Sequence, residues 1–408
     1  MKKILFTLLL AILCLSALLC FSACGDDGNG LAFTLSEDGK SYALSGIGSC
    51  TDKDIVIPSE YDGKPVTSIA DYALSNSGIS SVVVPDTVTY IGNGAFAGCS
   101  RLKSINIPDS VTYIGYSAFQ YCLSLESINI PDSVTYIGSS AFYECQNLSN
   151  ASVGKNVQYI GPSTFFNCPN LTYNEYGNCY YLGSEANKYL ILISAKSTDI
   201  TSASIPSSTK FIGRCAFANC SKLTSVAIPE SVIFIDYQAF NGCNMLSDIN
   251  IPDGVKYIGA EAFRGCTNAI ETEGDVSYVD KWVIGCKKNA TSVTLRNDTV
   301  GIAGGAFYEC QILNTVVIPD SVKTIGYMAF SFSGISYITI PDTVTLINSS
   351  AFTGCLHLQS ISFEKPDGWF ATHTPIATSG KSVDFTNATN NVEILTNNSA
   401  SGDYFKHN

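Results

Sequence analysis

A short word ending in phenylalanine recurs along the chain: Ala95-Phe96, Ala118-Phe119, Ala141-Phe142, Thr164-Phe165, Ala216-Phe217, Ala239-Phe240, Ala262-Phe263, Ala306-Phe307, Ala329-Phe330 and Ala351-Phe352. Successive phenylalanines lie 23, 23, 23, 52, 23, 23, 44, 23 and 22 residues apart, so two insertions interrupt one array of a single period. Ala73-Leu74, 22 residues before Phe96, marks a degenerate first unit. A period in the twenties constrains the fold strongly. One unit of that length cannot bury its own apolar side, and stacked units share a continuous core, so the expected fold is a repeat solenoid.

The interior of a unit shows how the chain turns. In Leu102-Lys103-Ser104-Ile105-Asn106-Ile107-Pro108-Asp109-Ser110-Val111-Thr112-Tyr113-Ile114-Gly115 a short β run stops at Pro-Asp and a second extended piece follows. Proline presets φ for a turn and removes a ladder donor, so the first strand ends there. The stretch from Ala118-Phe119 to Cys122 is too short for an independent helix and reads as one helical turn or a second corner. Stacking at about 4.8 Å per coil lets neighbouring coils satisfy one another's backbone groups.

These residues resemble the BspA-like leucine-rich repeats of bacterial and protist surface proteins, whose unit reads Leu-x-x-Ile-x-Ile-Pro-x-x-Val-x-x-Ile-Gly-x-x-Ala-Phe-x-x-Cys. The match runs from about residue 66 to residue 361. The resemblance implies a mainly β, leucine-rich-repeat-like, right-handed superhelix of short strands and turns, curved and used for adhesion or ligand binding. It names no ligand. The pattern departs at Ser333, where Cys is expected, and at Gly154-Lys155, Ser207 and Arg296-Asn297, where Pro-Asp is altered. Looser corners are expected there.

The chain ends carry the cellular address. Lys2 and Lys3 precede an apolar run over residues 4–21, and Phe21-Ser22-Ala23-Cys24 closes it with small residues before a cysteine. That box resembles the lipobox of bacterial lipoproteins, with Phe21 where Leu is usual, and implies diacylation of Cys24 and anchoring at the membrane. An uncleaved membrane anchor is the other reading, since 18 apolar residues just span a bilayer. The expected organisation is a signal over 1–23, a tether over 24–30, an N-terminal cap over 31–66 and the array over 67–362. Insertions fall at about 172–200 and 270–290, and a C-terminal β cap covers 363–408, with a disordered tail beyond Thr396. Ile55-Val56-Ile57-Pro58 imitates the repeat strand inside the N-terminal cap. Both insertions read as β-hairpins with aromatic faces that project from the array, either covering a coil edge or holding a ligand.

Loss of residues 1–23 would take two lysines and no acid, deepening the net charge from −12 to −14. Such a chain does not seek nucleic acid or anionic lipid.

The residues able to do chemistry are spread rather than clustered. Cys99, Cys122, Cys145, Cys168, Cys220, Cys243, Cys266, Cys310 and Cys355 each follow a repeat phenylalanine by three, forming a column of one thiol per coil. Metal ligands converge on a point, and parallel Cα–Cβ vectors suit disulfides poorly, so buried reduced thiols are expected and no metal or cofactor is. The 13 cysteines beyond Cys24 are odd in number, and so many unpaired thiols in an exported chain point to a reducing habitat. Asp86, Asp109, Asp132, Asp253, Asp320 and Asp342 follow the repeat proline and serve the turn, calcium bridging being the alternative. His357, His373 and His407 stand in no nucleophile motif, so the chain is read as no enzyme.

One column is a candidate binding strip. Tyr90, Tyr113, Tyr136, Tyr159, Phe211, Phe234 and Tyr257 precede the repeat isoleucine in seven units, followed by Gly301, Thr324 and Leu346. Rings one coil apart either pack on one another or stack on sugars and protein side chains. Asn106, Asn129 and Asn250, with Ser152, Ser204, Thr294 and Thr339, form a small polar row beside them. The expected partner is a surface protein of a host or neighbouring cell; the alternative is a glycan captured for uptake.

Overall fold

The computed structural model describes residues 30–372, 381–382, 387, 391, 395–396 and 403–406. Residues 1–29, with the signal, Cys24 and most of the tether, lie outside them, as do His373 and His407.

Each coil contains the two strands read from the sequence, and neighbouring coils pair in parallel at the repeat period. Ser127–Ile130 pairs with Asn150–Val153, Ser127 opposite Asn150. Tyr113–Ile114, Tyr136–Ile137 and Tyr159–Ile160 pair in the same way, tyrosine opposite tyrosine. The isoleucines of both strands point inward with the Val, Ala, Phe, Cys and Leu of the same coil, and nearly all are fully buried. Phe96, Phe119, Phe142 and Phe165 stack along the interior with ring centroids 5.1, 5.1 and 5.2 Å apart. Cysteine thiols reach back one coil to phenylalanine carbonyls, as from Cys122 to Phe96 and from Cys145 to Phe119, both at 3.2 Å.

The Ala-Phe segment is a corner and not a helical turn. Ser117 (φ 52°) and Tyr121 (φ 59°) flank it in left-handed backbone, and most other coils repeat that pair of positions. The Phe119 amide donates to the Ala141 carbonyl at 2.8 Å and the Tyr121 amide to Tyr143 at 2.9 Å, so the corner is held by the next coil. The glycine after the repeat isoleucine answers to spacing instead. A Cβ on Gly138 would lie 2.3 Å from the Tyr116 amide nitrogen of the preceding coil. The altered corners keep their closing bond: Val157 to Gly154 at 3.4 Å, Thr209 to Pro206 at 3.0 Å and Thr299 to Arg296 at 3.0 Å. The expected loosening is at most slight, because the bond uses backbone groups that any residue supplies.

The insertions do not project. The strand Asn187–Ala195 is antiparallel to Cys179–Ser184 and then parallel to the next repeat strand, Ile191 opposite Phe211 and Leu192 opposite Ile212. Trp282–Cys286 does the same with Gly301–Ile302. The N-terminal hairpin Ala32–Leu35 and Tyr42–Gly46 has this design too, its second strand running parallel to Lys64–Ile69. Each hairpin thus starts a fresh block of coils. The strand Asp54–Val56 joins the first block by pairing with Ser81–Val83.

The two seams between blocks differ. At the second, the Gly304 amide donates to the Ile258 carbonyl at 2.8 Å, and a Cβ on Gly304 would sit 2.9 Å from the Ala260 nitrogen. Arg214 holds the equivalent place at the first seam, two residues after the repeat isoleucine, where so close an approach is closed to it. That seam is made by side chains. Lys210 Nζ donates to the Lys155 and Val157 carbonyls at 3.2 and 3.3 Å, and Arg214 Nη1 to Ser163 Oγ at 2.6 Å.

At the other end, Asp403–Lys406 lies antiparallel on the last repeat strand, Leu346–Ile347, and on Trp369–Thr372, which pairs in turn with Lys381–Ser382. The chain beyond Thr396 therefore contributes a strand where a disordered tail was expected. It covers the edge that the last repeat strand of this sheet would otherwise leave open. Trp369 is buried beneath it, edge-on to Phe363. Residues 383–386, 388–390 and 392–394 of the expected C-terminal cap lie outside the described residues.

Candidate functional site

The aromatic column is a packed ladder. Tyr90, Tyr113, Tyr136 and Tyr159 stack face to face with centroids 4.5, 4.6 and 4.9 Å apart and ring planes within 9°. Phe234 and Tyr257 continue it in the second block at 4.5 Å, and Phe211 lies tilted against Phe234. Tyr113, Tyr136, Phe211, Phe234 and Tyr257 are buried, while Tyr90 and Tyr159 are half-buried. Burial pushes the Tyr113 hydroxyl well above the usual phenol range. The reading of this column as a binding strip is therefore corrected. A sugar or side chain would need a ring face, and the faces of the inner rings are taken by neighbouring rings at the repeat spacing.

The small polar row does face solvent. Asn106, Asn129, Ser204, Asn250, Thr294 and Thr339 are exposed and Ser152 is half-buried. Asn106 also braces the sheet: its Oδ1 accepts from the Val84 amide at 2.8 Å and its Nδ2 donates to the Val84 carbonyl at 2.9 Å. The other outward row of this sheet, Ser81, Ser104, Ser127, Asn150, Ser202, Ser225, Ser292, Thr315, Tyr337 and Ser360, is equally uncharged apart from Asp54 and Asp248.

A second set of rings escaped the sequence reading. Tyr121, Tyr143 and Phe166 form a chain along the Ala-Phe corners, with centroids 5.9 and 5.7 Å apart. The Arg214 guanidinium continues it, 4.6 Å from the Phe166 ring and 4.9 Å from that of Tyr237. Tyr121 and Phe166 are exposed. Tyr121 stands two residues after its repeat phenylalanine and Tyr143 and Phe166 one, so no fixed column announces them. Asp236 was also missed, although it stands where other coils carry the spacing glycine. It is buried, and Oδ1 accepts from the Tyr237 amide at 2.5 Å while Oδ2 accepts from Ser163 at 3.3 Å. Burial pushes its carboxyl up to about 6, against the pull of those amides and of Arg214.

All 13 described cysteines are free, and burial raises the Cys168, Cys179 and Cys220 thiols to about 11. No group of three His, Cys, Asp or Glu among the described residues converges on a point. His357 is exposed on a coil end. No helix among the described residues is long and apolar enough to cross a membrane.

The chain matches a family model described as BspA type leucine rich repeat region over residues 67–192, 195–283 and 284–399. No curated protein is significantly similar to it. Among solved structures it is similar to the T. pallidum leucine rich repeat protein, with 25% identity, 60% of this chain and 90% of that chain covered, and a TM-score of 0.34. A leucine rich cell surface protein from Faecalibacterium prausnitzii shows 23% identity over 85% of this chain and 96% of its own, with a TM-score of 0.38. A leucine-rich repeat protein from Bacteroides ovatus shows 21% identity over 85% and 100%, with a TM-score of 0.33. Since the matched segments break at residues 193–194 and between 283 and 284, where the inserted hairpins enter the sheet, and run through every block, the chain belongs to the BspA-type leucine-rich repeat family.

Proposed function

We propose that the protein is a non-enzymatic binding scaffold of the cell surface, which engages a macromolecular partner through the outward face of its first-strand sheet. The observation that carries this reading is the composition of that face. Two exposed or half-exposed rows run through the blocks with small, uncharged side chains and only Asp54 and Asp248 bearing charge. In a chain of net charge −12 such a face is unusually cheap to desolvate. Depletion of charge is what separates the core of a protein interface from ordinary surface. Rigid parallel coils also add little ordering cost on binding. Tethering through an acylated Cys24 fits the same role, and palmitate labelling that survives Cys24→Ala would exclude it.

The mature chain should be retained on immobilised surface proteins, and Asn129→Glu with Thr339→Glu, both at exposed sites, should abolish retention without changing the melting curve. Retention unaffected by both charges would refute the face. Glycan capture is the second reading. With the tyrosine ladder closed, it rests on the exposed corner rings Tyr121 and Phe166, and a glycan array with Tyr121→Ser tests it.

A further inference from the structure

The first seam holds a half-open cavity of about 320 Å³, lined by none of the outward residues of the repeat face. Phe165, Phe211 and Phe234 from the two blocks and Ile191 and Ile193 from the hairpin give it an apolar, aromatic side, and Ser163, Thr164, Ser194 and Asp236 a polar one. Three donors converge on it. In interior coils the corner phenylalanine and the residue two further on donate their amides to the next coil, as Phe142 does to Thr164 at 2.9 Å and Glu144 to Phe166 at 3.0 Å. Phe165 and Asn167 belong to the last coil of the first block, and the chain leaves for the hairpin instead of supplying the next corner. Among the described residues nothing accepts from these two amides, and both residues line the cavity. The third donor is Arg214. Its Nη1 is fixed on Ser163 and its ring contacts hold the guanidinium flat, while Nε is buried without a partner. At the second seam Gly304 takes the place of that cation and the backbone closes directly.

We infer that this cavity binds a carboxylate carried on a single apolar or aromatic body, the carboxylate on the Phe165 and Asn167 amides and Arg214, the body among Phe165, Phe211 and Phe234. Backbone amides left open at a turn, joined by an arginine, are suited to a planar anion with several acceptor sites. The volume lies at the small end of ligand sites, which fits one terminal residue or one small acid and not a polymer. Asp236 does not bar the anion: its oxygens accept from the Ser163 and Tyr237 amides, and the nearby Arg214 charge offsets its own. The same chemistry is offered by the C-terminus of a peptide and by a free carboxylic acid.

Calorimetric titration with N-acetylphenylalanine, with a pentapeptide of four glycines and a terminal phenylalanine, and with the amide of each decides the matter. Both acids should bind at least tenfold more tightly than their amides. A stronger pentapeptide assigns the site to peptide termini, and a stronger N-acetylphenylalanine assigns it to small acids. Arg214→Met with Asp236→Asn removes both charges while keeping the stem between the rings, and should cost tenfold or more in affinity for the acid. Ile193→Trp fills the cavity from the hairpin and should abolish binding, whereas Asn129→Glu on the repeat face should change nothing. Equal binding of acids and amides, no binding of either acid at millimolar concentration, or full binding by the Ile193→Trp protein would overturn the assignment and leave the repeat-face reading untouched.

Discussion

Replacing Tyr136 by alanine separates a structural ladder from a binding strip. Tyr136 is 8% exposed and lies between Tyr113 at 4.6 Å and Tyr159 at 4.9 Å, with ring planes 2° and 9° apart. Truncating a buried aromatic ring costs about 3–5 kcal/mol, and each stacked pair adds about 0.5–1.5 kcal/mol beyond the area it buries. Two pairs are lost at this rung, which places Tyr136→Ala near the upper end, about 5 kcal/mol. Tyr90 is half-buried and stacks on one tyrosine only, so Tyr90→Ala should cost about half as much. Coils contact only their neighbours, so the loss should be local: amide exchange should accelerate in the strands around residues 113–160 and stay slow in the third block. Urea unfolding read by far-ultraviolet circular dichroism, with exchange mass spectrometry on the same samples, measures both. Tyr136→Phe keeps the stack and should stay within about 1 kcal/mol of the parent. If Tyr136→Ala costs under 1 kcal/mol, or no more than Tyr90→Ala, the rings do not support the coils and the argument fails.

Three further outcomes follow from individual contacts. The folded-state pKa of Asp236 lies above its unfolded value, so its contribution is most favourable in acid and is lost as pH rises from about 4 through 6; Asp236→Asn should gain about 2–3 kcal/mol relative to the parent between pH 4 and pH 7, and a pH-independent difference would count against it. Gly138→Ala forces a Cβ to 2.3 Å from backbone and should cost about 3 kcal/mol, whereas Gly177→Ala, with φ of 54° in open space, should cost about 1 kcal/mol, so equal losses in thermal melts would show that coil spacing is not what glycine serves. Alkylation of the native protein at pH 8 should label the half-buried Cys50 and Cys215 ahead of Cys122 and Cys145, whose thiols burial holds far from ionisation; thiols blocked until reduction would mean disulfides instead.

The three hairpins explain how one chain carries three blocks. A parallel coil offers its neighbour an edge of unpaired amides and carbonyls, and an antiparallel hairpin can begin such an edge from nothing. Each hairpin ends in a strand whose inward residues copy the repeat: Leu44 opposite Ile69, Leu192 opposite Ile212, Val283 opposite Ile302. A block is thereby started inside the chain as it is at the N-terminus. Whether two blocks then fuse or leave a gap falls to one position, Gly304 in one case and Arg214 in the other.

The sequence alone determined the coil. A 23-residue spacing, Pro-Asp at one corner and Ala-Phe at the other dictate parallel registration, because side chains that recur each coil must meet their own kind one strand spacing away. The buried thiols and the small polar row were legible for the same reason. Only the tertiary structure decided what depends on the distance between coils. It closed the faces of the tyrosines, since rings at strand spacing fill the space between them. It turned projecting hairpins into sheet strands and laid Asp403–Lys406 over the last coil. It also opened the first seam, where Arg214 takes the place that Gly304 holds at the second seam and Asp236 that of the spacing glycine, and no periodicity could reveal a site made where the array is interrupted.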